Sequence, residues 1–262
     1  MSAVRLYVDS DLSADTAVVL SEGQTHYLRH VLRRGDGAEL LLFNGHDGEW
    51  RATLALHGKA AASARIGERT REQVAEPDIW LCFAPVKRAR IDYIAEKASE
   101  LGVAVLQPVL TRHTAVERVN IERLRANAIE AAEQTERLTV PVARDPVELQ
   151  RLLAAWPEGR HLLICDETGN GPPIAQALGS LDDAARAAPW AILIGPEGGF
   201  AREELEAIRA KPGVLSVGLG PRILRADTAA LAALACWQSL VGDWQKPTPR
   251  LAVDYRSSRG QP

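Results

Sequence analysis

Two groups of residues in this 262-residue chain carry chemistry by their type and spacing. In the first, Gly195, Pro196, Glu197, Gly198 and Gly199 follow an apolar run, and Leu219, Gly220, Pro221, Arg222, Ile223, Leu224 and Arg225 follow another. A strand that stops at Gly-Pro and turns through Gly-Gly leaves backbone donors and acceptors bare, and glycine lets a flat ligand come close to them. Neither stretch contains Gly-x-Gly-x-x-Gly or Gly-Lys-Ser/Thr, so a dinucleotide or a nucleoside triphosphate finds little support. The second group is cationic. His26, Arg29, His30 and Arg33 recur at spacings of three and four, which puts them on one side of a helix, while Lys87 and Arg90 stand at a junction from strand to helix. Such cations suit phosphates, although a solvated charged face has the same pattern. Arg225 opens a helix, where the dipole disfavours a cation, so its position calls for an anion. A salt bridge to Asp227 is the local alternative.

These residues need elements to hold them. Residues 4–8, 17–20, 38–43, 49–56 and 60–69 read as short strands, with a hairpin turn over 44–48, and together they predict a small barrel. A helix over 22–33 interrupts it, carrying the histidines and arginines outward while Tyr27, Leu28, Val31 and Leu32 face the barrel. A polar, aperiodic stretch closing at Pro77 marks a boundary. We therefore expect one domain over 1–73, a second over 77–250 and a tail over 251–262. In the second domain strands and helices alternate: strands over 79–84, 103–110, 161–165, 191–194 and 214–218, and helices over 88–101, 119–136, from Asp145, over 174–187, after Phe200, and over 226–240. That alternation predicts an α/β fold with a mainly parallel sheet, whose ligands bind at the carboxyl ends of the strands. Asp166, Glu167, Thr168 and Gly169 end one such strand and supply a third wall beside the two glycine loops.

Composition narrows the setting. Nearly half of the residues are apolar and a quarter charged, as in ordinary globular proteins, and no apolar run is long enough to span a bilayer. The start lacks a secretory segment, so a cytoplasmic protein with no membrane partner is expected. The formal net charge of −3 excludes a globally basic nucleic-acid binder but leaves room for a local basic face. Cys82, Cys165 and Cys236 lie far apart in apolar runs, which suits reduced thiols and no metal site.

The motifs also carry a resemblance. Ile194-Gly195-Pro196-Glu197-Gly198-Gly199-Phe200, followed by Leu219-Gly220-Pro221-Arg222-Ile223-Leu224-Arg225-Ala226-Asp227-Thr228-Ala229, resembles the signature pair of the ribosomal RNA small subunit methyltransferase E family. His26-Tyr27-Leu28-Arg29-His30-Val31-Leu32-Arg33 is similar to its His-x-x-x-Val-Leu-Arg motif, and Lys87, Arg90, residues 97–103, Arg112 and the Glu133-Gln134-Thr135-Glu136-Arg137 block match further stretches. Thr135 stands where Ser is usual, and Asp227 where many members have Glu. The resemblance implies a SPOUT-type trefoil-knotted domain behind a PUA-like RNA-binding barrel, paired as a homodimer. It implies methylation of N3 of a uridine in 16S rRNA, with S-adenosylmethionine held by Glu167, Thr168, Gly169, Gly195, Pro196, Glu197, Gly198, Gly199, Leu219, Gly220, Ile223 and Leu224. RNA contacts then fall to His26, Arg29, His30, Arg33, Lys87, Arg90, Arg112 and Arg137, and Arg225 becomes the catalytic cation. A SPOUT-type ribose 2′-O-methyltransferase and a non-catalytic RNA-binding assembly protein are the competing readings. Methyl transfer needs no metal, because positioning supplies most of the catalysis.

Overall fold

The structure is a computed structural model that describes residues 3–58, 60–116, 118–166 and 171–246. Glu167, Thr168 and Gly169, and the tail over 251–262, lie outside the described residues.

Strands β1 (Val4–Tyr7), β2 (Ala17–Val19), β3 (Glu39–Phe43), β4 (Glu49–His57) and β5 (Ala61–Arg71) form one sheet in the order β1-β3-β4-β5-β2. Alternate residues point inward, so Leu6, Val18, Leu40, Leu42, Leu54, Ala64 and Ile66 make its core. Helix α1 (Glu22–His26) opens with a capping box in which the Ser21 and Gln24 side chains each accept from the other's backbone N–H. It does not continue to residue 33. A π-helical turn over Tyr27–Val31 follows, and Leu32 N–H donates five residues back to the Tyr27 carbonyl at 2.9 Å. Leu28 is fully buried and Leu32 packs on the barrel, as expected. Tyr27 and Val31 do not face the barrel, being 42% and 59% exposed. The physical reason is spacing: Thr25, Leu28 and Leu32 recur at three and four residues and form the inward stripe, and Tyr27 and Val31 stand to one side of it.

The second sheet begins with β6 (Ile79–Phe83), α2 (Arg88–Glu100), β7 (Val105–Leu110), α3 (Ile121–Gln134) and β8 (Val142–Ala143). It continues through β9 (Val147–Glu148), α4 (Leu149–Ala154), β10 (His161–Cys165), α5 (Ile174–Gly179), α6 (Asp183–Ala187) and β11 (Trp190–Ile194). Helix α7 (Arg202–Arg209), β12 (Val214–Val217) and α8 (Ala226–Leu240) complete it. The strand order is β12-β10-β11-β6-β7-β8, with β9 also on β7, and every pairing is parallel. Residues of β6 and β11 are buried on both faces. Ile79, Leu81 and Phe83 pack with α2, α3 and α8 on one side; Trp80 and Cys82 pack with α4 and α7 on the other. Helix α8 leaves the edge strand β12 yet lies against α2, α5 and β11 near the middle of the sheet.

Two expected helices differ. Asp145 and Pro146 do not cap a helix; Val147 and Glu148 are extended, pair with Val109 and Leu110, and delay α4 to Leu149. A tertiary ladder here outweighs a local cap signal. The helix expected over 174–187 is two, because Asp182 accepts from Ala185 N–H and starts α6 afresh after Gly179.

Barrel and second sheet meet through a dense polar joint. Arg5 on β1 donates to Glu49 at 2.7 Å and to the carbonyls of Ala132, Glu133 and Arg137 at 2.8, 3.0 and 3.1 Å. It thereby caps the carboxyl end of α3 from the other domain. Glu133 in turn accepts from Tyr7 N–H, and Tyr7, Phe43, Ala132, Leu138 and Val140 form a small apolar cluster across the joint.

Candidate active site

Because β10 lies between β11 and β12, the chain leaving β10 is flanked by the two glycine loops at one edge of the parallel sheet. Asp166, at the end of β10, is buried and ion-paired to Arg209 of α7. In the loop after β11, Gly199 has φ +68°, and a Cβ on Gly195 would come within 2.7 Å of the Phe200 ring. Only glycine lets that ring fold back under the loop. In the loop after β12, none of the backbone groups from Leu219 to Leu224 is hydrogen-bonded among the described residues. Backbone donors and acceptors of this kind suit a flat heterocycle with donors and acceptors of its own.

Arg90 on α2 joins the loops. Its Nη1 donates to Glu197 at 2.6 Å, and its Nε lies 3.9 Å from Asp227 in the first turn of α8. The expected cation at this junction is therefore committed to the glycine loops, and Lys87, exposed at the start of α2, is the one left facing solvent. Arg225 is the N-cap residue of α8 and is exposed; its guanidinium has no partner among the described residues. The salt bridge to Asp227 is not made, and Asp227 instead accepts from Thr228 N–H at 3.0 Å. Ile223 in the same loop is fully exposed.

Arg137 is a correction. It is 9% exposed and spends its donors on Glu76, at 2.8 and 2.5 Å, and on the carbonyls of Ser99 and Val103 at 2.8 Å each. A buried cation with that set of partners is structural, not an RNA contact. Nor does it pair with Glu133, whose carboxyl belongs to Tyr7. On the barrel, His26, His30 and Arg33 are exposed, with the two histidine rings 4.9 Å apart. Arg29 donates to the carbonyls of Gly58 and Ala61 and so pins the turn to the β4–β5 hairpin.

Sequence reasoning missed two residues that shape the loop after β11. His113 Nδ1 donates to the Gly199 carbonyl at 3.0 Å. Glu204 accepts from Ala201 and Arg112 N–H, at 2.9 and 2.8 Å, and so ties the start of α7 to the loop after β7. The exposed Arg112 side chain lies 3.7 Å from Glu203. No periodicity announces such contacts, because they come from the order in which strands stand in the sheet. Burial pushes the thiols of Cys82 and Cys165 up to about 12 and raises that of Cys236, so none is a proton acceptor at neutral pH. At the barrel rim Asp11, His46 and Asp47 gather, but Asp47 is engaged in the turn, accepting from Leu12 N–H and the Asn44 amide.

The family described as RNA methyltransferase domain matches residues 74–238, and that described as RNA methyltransferase PUA domain matches residues 20–66. Ribosomal RNA small subunit methyltransferase E of Rickettsia conorii is 33% identical over 237 residues, covering 88% of this chain and 93% of that protein. Its namesake in Synechocystis sp. is 34% identical over 238 residues, covering 89% and 76%. The crystal structure of a Ribosomal RNA small subunit methyltransferase E from Neisseria gonorrhoeae bound to S-adenosyl methionine superposes with a TM-score of 0.81 at 29% identity, over 93% of this chain and 100% of that one.

Proposed function

Because this chain belongs to the ribosomal RNA small subunit methyltransferase E family, we propose that it methylates N3 of one specific uridine in 16S rRNA. That it is an S-adenosylmethionine-dependent ribosomal RNA methyltransferase follows from the family; the atom and base are our finer reading. The observation that carries it is the pair of glycine loops at the carboxyl ends of β11 and β12, with Arg90 reaching from Glu197 in the first to Asp227 just beyond the second, and with Arg225, exposed and without a partner among the described residues, at the end of the second.

When bound, S-adenosylmethionine supplies an electrophilic methyl group. We assign its contacts to Gly195, Pro196, Glu197, Gly198, Gly199, Leu219, Gly220, Ile223 and Leu224, with Glu167, Thr168 and Gly169 as the third wall. Uracil N3 becomes nucleophilic as its proton leaves, and negative charge then spreads onto O2 and O4. Arg225 stands at the loop's end to compensate that charge. N3 lies on the pairing edge, so the uridine must be unpaired or turned out when it reacts. His26, His30 and Arg33 on the barrel, with Lys87 and Arg112 at the sheet edge, meet RNA phosphates, and Arg29 anchors the reading turn. Arg90 carries its charge beside the same edge.

The division at 73 and 77 separates an RNA-holding barrel from a catalytic domain, and is supported by two separate sheets. We further propose that the catalytic domain is trefoil-knotted, supported by the return of α8 from the edge strand to the middle of the sheet. The protein works as a homodimer in the cytoplasm on small-subunit particles. No helix among the described residues is long and apolar enough to cross a membrane. Mass spectrometry of 16S rRNA nucleosides from a deletion strain tests the product: N3-methyluridine should vanish and return with the gene. A lost ribose 2′-O-methyl mark with N3-methyluridine intact would replace this reading.

A further inference from the structure

The π-helical turn carries two apolar side chains on its outer face. Tyr27 is 42% exposed and Val31 59%, and neither belongs to the barrel core that holds Leu28 and Leu32. The two are four residues apart and so are neighbours on the helix surface. The Tyr27 hydroxyl has no partner among the described residues. Around them stand the exposed His26 and His30, with tilted rings 4.9 Å apart, and the exposed Arg33. Arg33 itself has φ +53°, a left-handed conformation that a non-glycine residue keeps only where its surroundings impose it.

From this patch we infer that Tyr27 and Val31 form a stacking platform for one unpaired base of the RNA. A patch that existed only to bury itself against protein would not be flanked by an exposed arginine and two exposed imidazoles. One that bound only phosphate would not present a ring face and a β-branched side chain at its centre. The combination of an aromatic face with flanking positive charge is what a single-stranded nucleotide needs, because its base stacks while its phosphates are neutralised. The spacing explains how the sequence achieves it. Leu28 and Leu32 turn inward four residues apart, and Tyr27 and Val31, each one position earlier, share the neighbouring face that is left outside. The pinning of Arg29 to Gly58 and Ala61 then holds the platform rigid on the hairpin.

This inference rests on the reading of the barrel as an RNA holder, and stacking can be separated from charge by salt dependence. Fluorescence anisotropy with a labelled, unstructured RNA oligonucleotide, repeated over a range of salt, compares the wild-type protein with Tyr27→Ala, Tyr27→Phe, Val31→Ser and Arg33→Ala. Tyr27→Ala should weaken binding about tenfold with the slope of log affinity against log salt unchanged, and Tyr27→Phe should stay within about twofold of wild type. Arg33→Ala should flatten the slope by about 0.7, the share of one single-strand phosphate. Val31→Ser, a second exposed site that leaves the ring in place, should weaken binding with the slope unchanged. Wild-type affinity in Tyr27→Ala, or a slope that changes with it, overturns the platform. So does a shift of Tyr27→Ala from dimer to monomer in sedimentation, which would make the patch a contact between two copies. If wild-type protein binds no RNA at all, it is the barrel's assignment that fails; if it binds RNA but makes another product, only the N3 reading does.

Discussion

Arg225 and Arg137 are the same residue type in motifs of similar length, yet one is exposed with no partner among the described residues and the other is sealed among Glu76, Ser99 and Val103. Nothing in their immediate neighbours distinguishes them, because burial is decided by which distant elements close over a side chain. The functional consequence is opposite. Arg225→Ala should bind S-adenosylmethionine nearly as wild type does but lose turnover by about a hundredfold or more, the scale of removing one preorganised charge donor. Equal turnover in a single-turnover assay would make Arg225 a bystander. Arg137→Ala should instead lower stability by about 3 kcal/mol, because Glu76 is left beside two unpaired carbonyls in a closed joint; urea denaturation followed by circular dichroism measures it. The glycine loops were legible in sequence because Gly-Pro and Gly-Gly announce themselves. His113 and Glu204, which fix the loop after β11, were not, since each acts across strands that are distant in the chain.

Elements with strong periodicity were legible nearly residue for residue: α8 spans Ala226–Leu240, and β10 spans His161–Cys165, as the apolar pattern predicts. Misreadings occurred where tertiary contacts override local signals, at β9, at the break between α5 and α6, and at the π turn. The carboxyl end of α3 is the element where two domains meet, and it makes a pH prediction. Burial raises the carboxyl pKa of Glu133, and the Tyr7 N–H and Arg5 only partly oppose it. A carboxyl group whose folded value lies above its unfolded one holds its proton more tightly in the folded state. Stability is therefore greatest below the ordinary carboxylate range and falls as pH rises through the folded value. Glu133→Gln keeps an oxygen for Tyr7 N–H but carries no charge. It should melt at a higher temperature than wild type near pH 8, with the difference shrinking toward pH 4. A variant that melts lower near pH 8 would mean that the Arg5 charge outweighs burial.

At the scale of the whole molecule, the sheet order was not legible in sequence, because alternating strands and helices permit several windings. The order matters because it brings the loops after β11 and β12 to the two sides of β10 and sends α8 back across the sheet. That return buries Ala230, Ala233, Leu234 and Trp237, and leaves Leu231, Ala232 and Ala235 half-covered on the outer side. Ile223, fully exposed in the loop we assign to the cofactor, and Trp244, 54% exposed just beyond α8, are further exposed apolar side chains, one before and one after the helix. An isologous pairing over this material would cover it in both copies at once and set a second subunit's residues against each cofactor loop. Light scattering at micromolar concentration should therefore give twice the 28.4 kDa chain mass. Ile223→Asp places a charge in the middle of that contact, without touching the core, and should shift the mass toward one chain while the thermal unfolding of each chain stays cooperative. Because Ile223 shares its loop with Leu219, Gly220 and Leu224, monomerisation should also weaken S-adenosylmethionine binding in calorimetry. A wild-type protein that scatters as 28.4 kDa would refute the pairing, and an Ile223→Asp monomer that binds the cofactor at full strength would show that each site is complete within its own chain.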